Sequence, residues 1–224
     1  MTELVVKTLA SYLLGSLIGS LIVGRLRGGV DIRTLGSGNA GGTNALRTQG
    51  KGFAFWVMLI DIGKGIVATR VIAPLPLPGL MSVGVIESAP GGMWHDWLPV
   101  ACGMAAIMGH VYPLWHGFRG GKGVATLVGV LLGLDALLLL AVLLTWLLMT
   151  MLFGFIGLAS MVAAGAVPVI VAASGMQPQT PMLTFGVFIT LLVVFTHRTN
   201  IARMRAGTEP RAQRLWLFGR DHTS

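Results

Sequence analysis

The sequence predicts an all-α polytopic membrane protein: a seven-transmembrane-helix bundle with its N-terminus outside and its C-terminus cytoplasmic. Three observations lead there. Of the 224 residues, 54% are hydrophobic and only 11% charged, whereas a soluble domain carries ~25% charged residues. The apolar residues run continuously at 8–24, 53–73, 98–115, 124–173 and 182–196, near the ~20 residues of a span and without the alternation of barrel strands. Basic residues gather in alternate connections, as the positive-inside rule requires. The length suits one domain, 1–224.

The elements follow in order. The N-terminal stretch has only Lys7 against Glu3 and no clear small-x-small cleavage site, so it reads as a retained first helix rather than a signal peptide. The connection 25–52 carries Arg25, Arg27, Arg33, Arg47 and Lys51 and reads as cytoplasmic. The connection 74–97 has no Lys or Arg, only Glu87 and Asp96, with Pro74, Pro76, Pro78 and a Gly91-Gly92 turn. It reads as external, although Arg70 just before it points the other way. The connection 116–123, with Arg119 and Lys122, and the tail 197–224, with six Arg, read as internal. The stretch 124–173 then starts inside and ends outside, so it holds one crossing or three. Fifty residues are too many for one, and three would be ~16 residues each, with breaks at 133–135 and 154–157.

Composition also excludes. Cys102 is the single cysteine, so neither an internal disulfide framework nor a multi-Cys metal site is available. The net charge of +8 raises nucleic acid as a partner. No basic stripe is interleaved with aromatics, however, and basic loops facing anionic membrane lipid explain the charge.

Three polar segments stand out, all on the predicted cytoplasmic side: residues 36–51, 109–126 and 197–210. In the second, Gly120, Gly121 and Gly123 surround Lys122 and a helix begins near Val124. Free N–H groups, a helix N-terminus and an ammonium together suit a phosphate cradle; a flexible basic turn at the membrane surface is the alternative. It is not a Walker A loop: His116 stands where the first Gly should be, and Gly123 follows the Lys. Gly36, Gly38 and Gly41 formally match G-x-G-x-x-G, but no βαβ unit surrounds them. Ser37, Asn39, Thr43, Asn44 and Arg47 crowd into eleven residues, and Arg suits bidentate recognition of phosphate. His197 and Asn200 are three apart and share a face if the last helix continues. Asp61 and Lys64 lie inside the second helix, ~12 Å deep for Asp61. Their spacing allows an ion pair, and direct ligand contact is the alternative.

Together these segments resemble the bacterial acyl-phosphate-dependent glycerol-3-phosphate acyltransferases, the PlsY family. The S-G-N-x-G-x-T-N-x-x-R pattern is met by Ser37, Gly38, Asn39, Gly41, Thr43, Asn44 and Arg47. The G-H…P…F-x-G-G-K-G-V-A-T block is met by Gly109, His110, Pro113, Phe118 and residues 120–126. The H-x-x-N-I-x-R…G-T-E ending is met by His197, Asn200, Ile201, Arg203, Gly207, Thr208 and Glu209, and D-x-x-K-G by Asp61, Lys64 and Gly65. The chain departs from the family's R-x-x-S-L-x-S stretch: Gly154 and Gly157 replace the Arg and first Ser, leaving Ser160.

The resemblance implies transfer of an acyl group from acyl phosphate to glycerol 3-phosphate, with no acyl-CoA donor, no cofactor and no metal. It implies seven helices in the bacterial cytoplasmic membrane and an active site on the cytoplasmic side. Lys122 and the 120–123 backbone would hold acyl phosphate; Arg47, His197 and Asn200 would bind glycerol 3-phosphate. Ser37 and the loop from Asn39 to Thr43 would complete the pocket, with Ser160 and Glu209 carried over from the family pattern. The proton acceptor is a substrate phosphate oxygen or His197; an imidazole beside two phosphates tends to be protonated, which favours the former. A transporter of a phosphorylated metabolite is the rival class. It calls for repeated halves and midplane polar groups, and the sequence has no internal repeat. A monomer is the working expectation.

Overall fold

A computed structural model describes residues 2–77 and 95–222. Pro78, Glu87 and the Gly91-Gly92 turn of the expected external connection lie outside the described residues. The described residues are helical, without strand, and form two compact units, Met1–Asp135 and Ala136–Ser224.

In the first unit the expected continuous first helix is bent. Helices α1 (Thr2–Gly15) and α2 (Gly19–Leu26) meet at 45°. The cause lies on α4 (Lys51–Val67), which a π turn extends through Ala68–Ile72. Lys64 Nζ donates to the carbonyls of Gly15 and Leu17, each at 2.9 Å. Asp61 Oδ1 accepts the Gly19 N–H at 3.1 Å, and the two charges pair at 3.0 Å. A break inside a membrane span must have its freed backbone groups satisfied by protein. An ammonium at one helix end and a carboxylate at the next helix start also match the helix dipoles. Of the two readings of Asp61 and Lys64, the structure shows the mutual ion pair. Removing one partner of such a buried pair typically destabilises by ~3–5 kcal/mol. Near the other end of α1, buried Lys7 likewise pairs with Glu3 and donates to the Ala73 carbonyl at 2.6 Å.

The connection 25–52 is not a plain loop. It contains a 3-10 turn (Ile32–Thr34) and helix α3 (Gly42–Gln49). Val23, Ile32, Ala45, Phe53 and Val57 pack into one buried cluster, which fastens this polar connection to α2 and α4. Helix α5 (Trp97–Val111) leads through a 3-10 turn (Leu114–His116) to α6 (Val124–Leu134).

In the second unit, α7 (Ala136–Phe153), α8 (Ile156–Ser174) and α9 (Gln179–Thr196) are followed by α10 (Arg198–Arg205) and a 3-10 turn (Leu217–His222). Asp135 is extended and Gly154 has φ +74°, so the 124–173 stretch breaks within both expected places. The pieces are unequal, however: 11, 18 and 19 residues rather than ~16 each. Helix α7 is apolar on every side. It buries only Leu138, Leu139, Val142 and Thr150 and turns Leu137 and Leu144 outward, as a lipid-facing helix does. Among the described residues five helices are long and apolar enough to cross a membrane, or six with the bent α1–α2 pair as one span.

Candidate active site

In the first unit the segment 36–47 is built around one side chain. Buried Asn44, on α3, donates through Nδ2 to the carbonyls of Ile32, Leu35 and Asn39 at 2.9–3.0 Å. Its Oδ1 accepts the Ser37 N–H at 3.0 Å. Asn39 Oδ1 accepts the Gly41 N–H at 2.8 Å, and the Gly38 N–H donates to Leu35. This corrects the expectation that Gly38, Gly41 and Asn44 offer donors to a ligand. Those donors, and Asn39 Oδ1, are engaged inside the loop and give it its shape. Turned outward instead are the exposed Ser37, Thr43 and Arg47. Their hydroxyl and guanidinium groups have no hydrogen bond or ion pair among the described residues.

The turn at 120–123 is held differently. The Gly120 N–H donates to Val111 O at 3.2 Å and the Gly121 N–H to His110 O at 3.1 Å, so the backbone folds back on the last turn of α5. These two N–H groups are therefore not the cradle donors they were expected to be. Both glycines are required by close approach. A Cβ at Gly120 would stand 2.0 Å from the His110 carbonyl oxygen, and one at Gly121 would stand 2.1 Å from His110 Nε2. Gly123, at φ +84°, is the N-cap of α6 and provides no side-chain cap. The first-turn N–H groups from Val124 onward thus remain available beside the half-buried Lys122, as an anion site needs.

Arg33, one of the basic residues of the 25–52 connection, ties the two segments together. Its Nη1 donates to the carbonyls of His116 and Arg119 at 3.3 and 3.1 Å. Its Nε and Nη2 fork onto Asp31, Nη2 to Oδ2 at 2.7 Å. The Arg33 hydrogen bond holds the Asp31 carboxyl below its usual range, and Asp31 raises the guanidinium in turn. The D-x-R spacing was the available signal.

In the second unit, His197 is not on one continuous helix with Asn200. It is the cap residue between α9 and α10, with Nδ1 at 2.8 Å from Val193 O. A carbonyl only accepts, so Nδ1 carries the proton. Asn200 is buried on α10 and donates to Glu209 Oε1 at 2.5 Å, while Arg203 Nε donates to Oε2 at 2.6 Å. Glu209 is thus engaged in holding α10. Ser160 Oγ donates to Ile156 O at 2.9 Å and accepts from Trp146 Nε1 at 3.2 Å. Ser160 thus joins α7 to α8.

The two glycines that depart from the family pattern also have local causes. A Cβ at Gly157 would stand 3.0 Å from the Asn200 side chain. Gly154 receives the tail: its carbonyl accepts the Ala212 N–H at 2.8 Å, and the Arg211 guanidinium lies over the rings of Phe155 and Trp216 at 4.7 and 3.9 Å.

The sequence matches the glycerol-3-phosphate acyltransferase family over residues 5–207. Glycerol-3-phosphate acyltransferases of a Synechococcus species and of Chlorobaculum tepidum are 39% and 37% identical to it. These matches cover 89% and 94% of this chain and 90% and 95% of theirs. Crystal structures of PlsY, an integral membrane glycerol 3-phosphate acyltransferase, are similar to it. The glycerol 3-phosphate form gives a TM-score of 0.77 at 31% identity, and the lysophosphatidic acid form 0.75 at 30%. Each covers 93% of this chain and 94% of PlsY. With a match from residue 5 to residue 207, the chain belongs to the glycerol-3-phosphate acyltransferase family.

Proposed function

We propose that this multi-pass membrane protein is a glycerol-3-phosphate acyltransferase that takes its acyl group from acyl phosphate. The products are 1-acyl-glycerol 3-phosphate (lysophosphatidic acid) and inorganic phosphate, and the reaction is the first step of phospholipid synthesis. The observation that carries this reading is Lys122 beside the uncapped start of α6, in a chain similar to PlsY crystallised in glycerol 3-phosphate and lysophosphatidic acid forms.

The hydroxyl oxygen of glycerol 3-phosphate attacks the acyl carbonyl carbon. The bond from that carbon to the phosphate oxygen breaks, and phosphate leaves with the electron pair. Lys122 and the first-turn N–H groups of α6, with Gly123 and Val124, hold the acyl phosphate and balance charge on the leaving group. Arg47 supplies two-pronged donors to the phosphate of glycerol 3-phosphate. His197 and Asn200 are assigned to the same substrate, with Glu209 orienting the Asn200 amide. Ser37 and Thr43 add hydroxyl donors. The hydroxyl proton passes to a phosphate oxygen, so no covalent enzyme intermediate forms. The alternative proton acceptor is His197, whose Nδ1 donates to the Val193 carbonyl.

The topology follows the charges: seven spans, counting the bent pair as one and the short α6 as another. The N-terminus is outside, and the C-terminus and active site are on the cytoplasmic side of the bacterial cytoplasmic membrane. The whole chain acts as one domain and as a monomer. In a Cys102→Ala background, Gln177→Cys should label from outside and Gln213→Cys from inside; labelling of both from one side overturns it.

The activity test incubates purified protein with acyl phosphate and glycerol 3-phosphate and measures lysophosphatidic acid, with acyl-CoA as the paired control. Product with acyl phosphate alone is expected. Product with acyl-CoA alone would overturn the donor assignment, and product from neither would overturn the activity.

A further inference from the structure

The buried charges on α4 reach further than the bend they cap. Lys64 Nζ also lies 2.8 Å from His110 Nδ1, and Asp61 Oδ1, the oxygen that pairs with Lys64, is 3.4 Å from that nitrogen. His110 Nδ1 therefore faces the ammonium and the carboxylate together, and Nε2 is turned to the opposite side of the ring. Nε2 is the atom against which Gly121 is packed, and the His110 carbonyl holds the Gly121 N–H. Asp61, Lys64 and His110 are all buried, and Asp61 Oδ2 has no hydrogen-bond partner. Capping the bend does not by itself require the imidazole.

We propose that Asp61, Lys64 and His110 form a positioning device for the turn at 120–123, and so for the placement of Lys122 on its phosphate. The proposal rests on the reading above that this turn binds the phosphate of acyl phosphate. Asp61 orients Lys64, the pair fixes the plane of the His110 ring, and the ring and carbonyl of His110 set the height of Gly121. These three are positioning residues; none is assigned a contact with substrate. A displacement of about 1 Å at a binding group can lower catalysis ~100-fold, so a small shift of the ring is enough to matter.

The test is a double-mutant cycle on the one contact that makes the claim geometric. Gly121→Ala places its methyl on the His110 ring, and His110→Ala removes that ring. Gly121→Ala alone should raise the KM for acyl phosphate at least ~10-fold and leave that for glycerol 3-phosphate within ~2-fold. In the His110→Ala background the same change should alter neither by more than ~2-fold. Asp61→Leu/Lys64→Met removes both charges together and should reproduce the acyl-phosphate KM of His110→Ala without adding to it. Size-exclusion profile and thermal unfolding of each detergent-solubilised variant report the fold. A lowered unfolding temperature with both KM values unchanged would mean a purely structural role and overturn the proposal, as would an equal effect of Gly121→Ala in both backgrounds. Lys122→Ala tests the underlying reading separately. If it retains turnover, the phosphate assignment of the turn fails; if it is inactive while the cycle shows no coupling, only the positioning role fails.

Discussion

Segments 36–47 and 120–124 of the first unit have similar compositions, rich in glycine and hydrogen-bond donors, yet they are held by opposite means. The first is held by a side chain: Asn44 engages three carbonyls and one N–H. The second is held by backbone, with Gly120 and Gly121 folded onto Val111 and His110 too closely for any Cβ. The difference shows that donor-rich composition does not identify ligand contacts. Most donors in both segments make the loop. The groups assigned to a ligand are Ser37, Thr43 and Arg47 on one segment, and Lys122 with the start of α6 on the other.

The comparison breaks most sharply at Lys122. Lys122→Ala should lower turnover ~100- to 1,000-fold, the range for removing one charge-stabilising donor from a transition state. Its size-exclusion profile should match the parent, because the Gly120 and Gly121 backbone hydrogen bonds hold the turn. Turnover near the parent level would remove Lys122 from the mechanism.

Asn44→Leu probes the side-chain-built segment. It leaves the Ser37 N–H and three carbonyls without their partner, at ~1–3 kcal/mol for each group that stays buried. Hydrogen exchange should rise at least ~10-fold over residues 32–47 and stay at parent rates over 120–127. Equal acceleration in both would mean the two segments are one cooperative unit.

Arg47→Lys has a smaller and more selective effect. Lys keeps the charge but loses the planar fork. Losing one charge-assisted hydrogen bond costs ~1.5–3 kcal/mol, roughly ten- to a hundred-fold in affinity. The apparent KM for glycerol 3-phosphate should rise by that factor, and that for acyl phosphate should not. Because KM follows binding only when substrate leaves faster than it reacts, direct binding is the companion measurement. Equal weakening would mean that both substrates use Arg47.

What the sequence revealed was mainly local. Apolar runs announced the long helices, and Asp135 and Gly154 announced the breaks, because each signal and its effect lie within a few residues. The bend at residues 16–18 stayed hidden because its cause, Asp61 and Lys64, lies more than forty residues away. Helix α3 was masked by its polarity: eight residues, GTNALRTQ, read as loop. Asn44 and Arg47, three apart on that helix, looked equally able to meet a ligand. Only the positions of the Ile32, Leu35 and Asn39 carbonyls separate them.

The smallest expected effect concerns the strap between the two segments. Asp31 and Arg33 form a short fork, and Arg33 carries on to the His116 and Arg119 carbonyls. Arg33 lowers the Asp31 carboxyl from its ordinary value of 3.8. A carboxyl lowered by folding binds its proton more weakly in the folded state. Its stabilising effect is therefore fully present above the unfolded value and is lost as pH falls through the folded one. The pair is partly exposed, so solvent screens it and the effect is small. Thermal unfolding of the solubilised protein should show a slight extra loss of stability as pH falls below about 4, and Asp31→Asn should remove that increment while leaving the rest of the acid profile unchanged. If the parent and Asp31→Asn profiles are parallel from pH 6 to 3, the fork contributes nothing measurable, and the strap rests on the Arg33 hydrogen bonds to the His116 and Arg119 carbonyls.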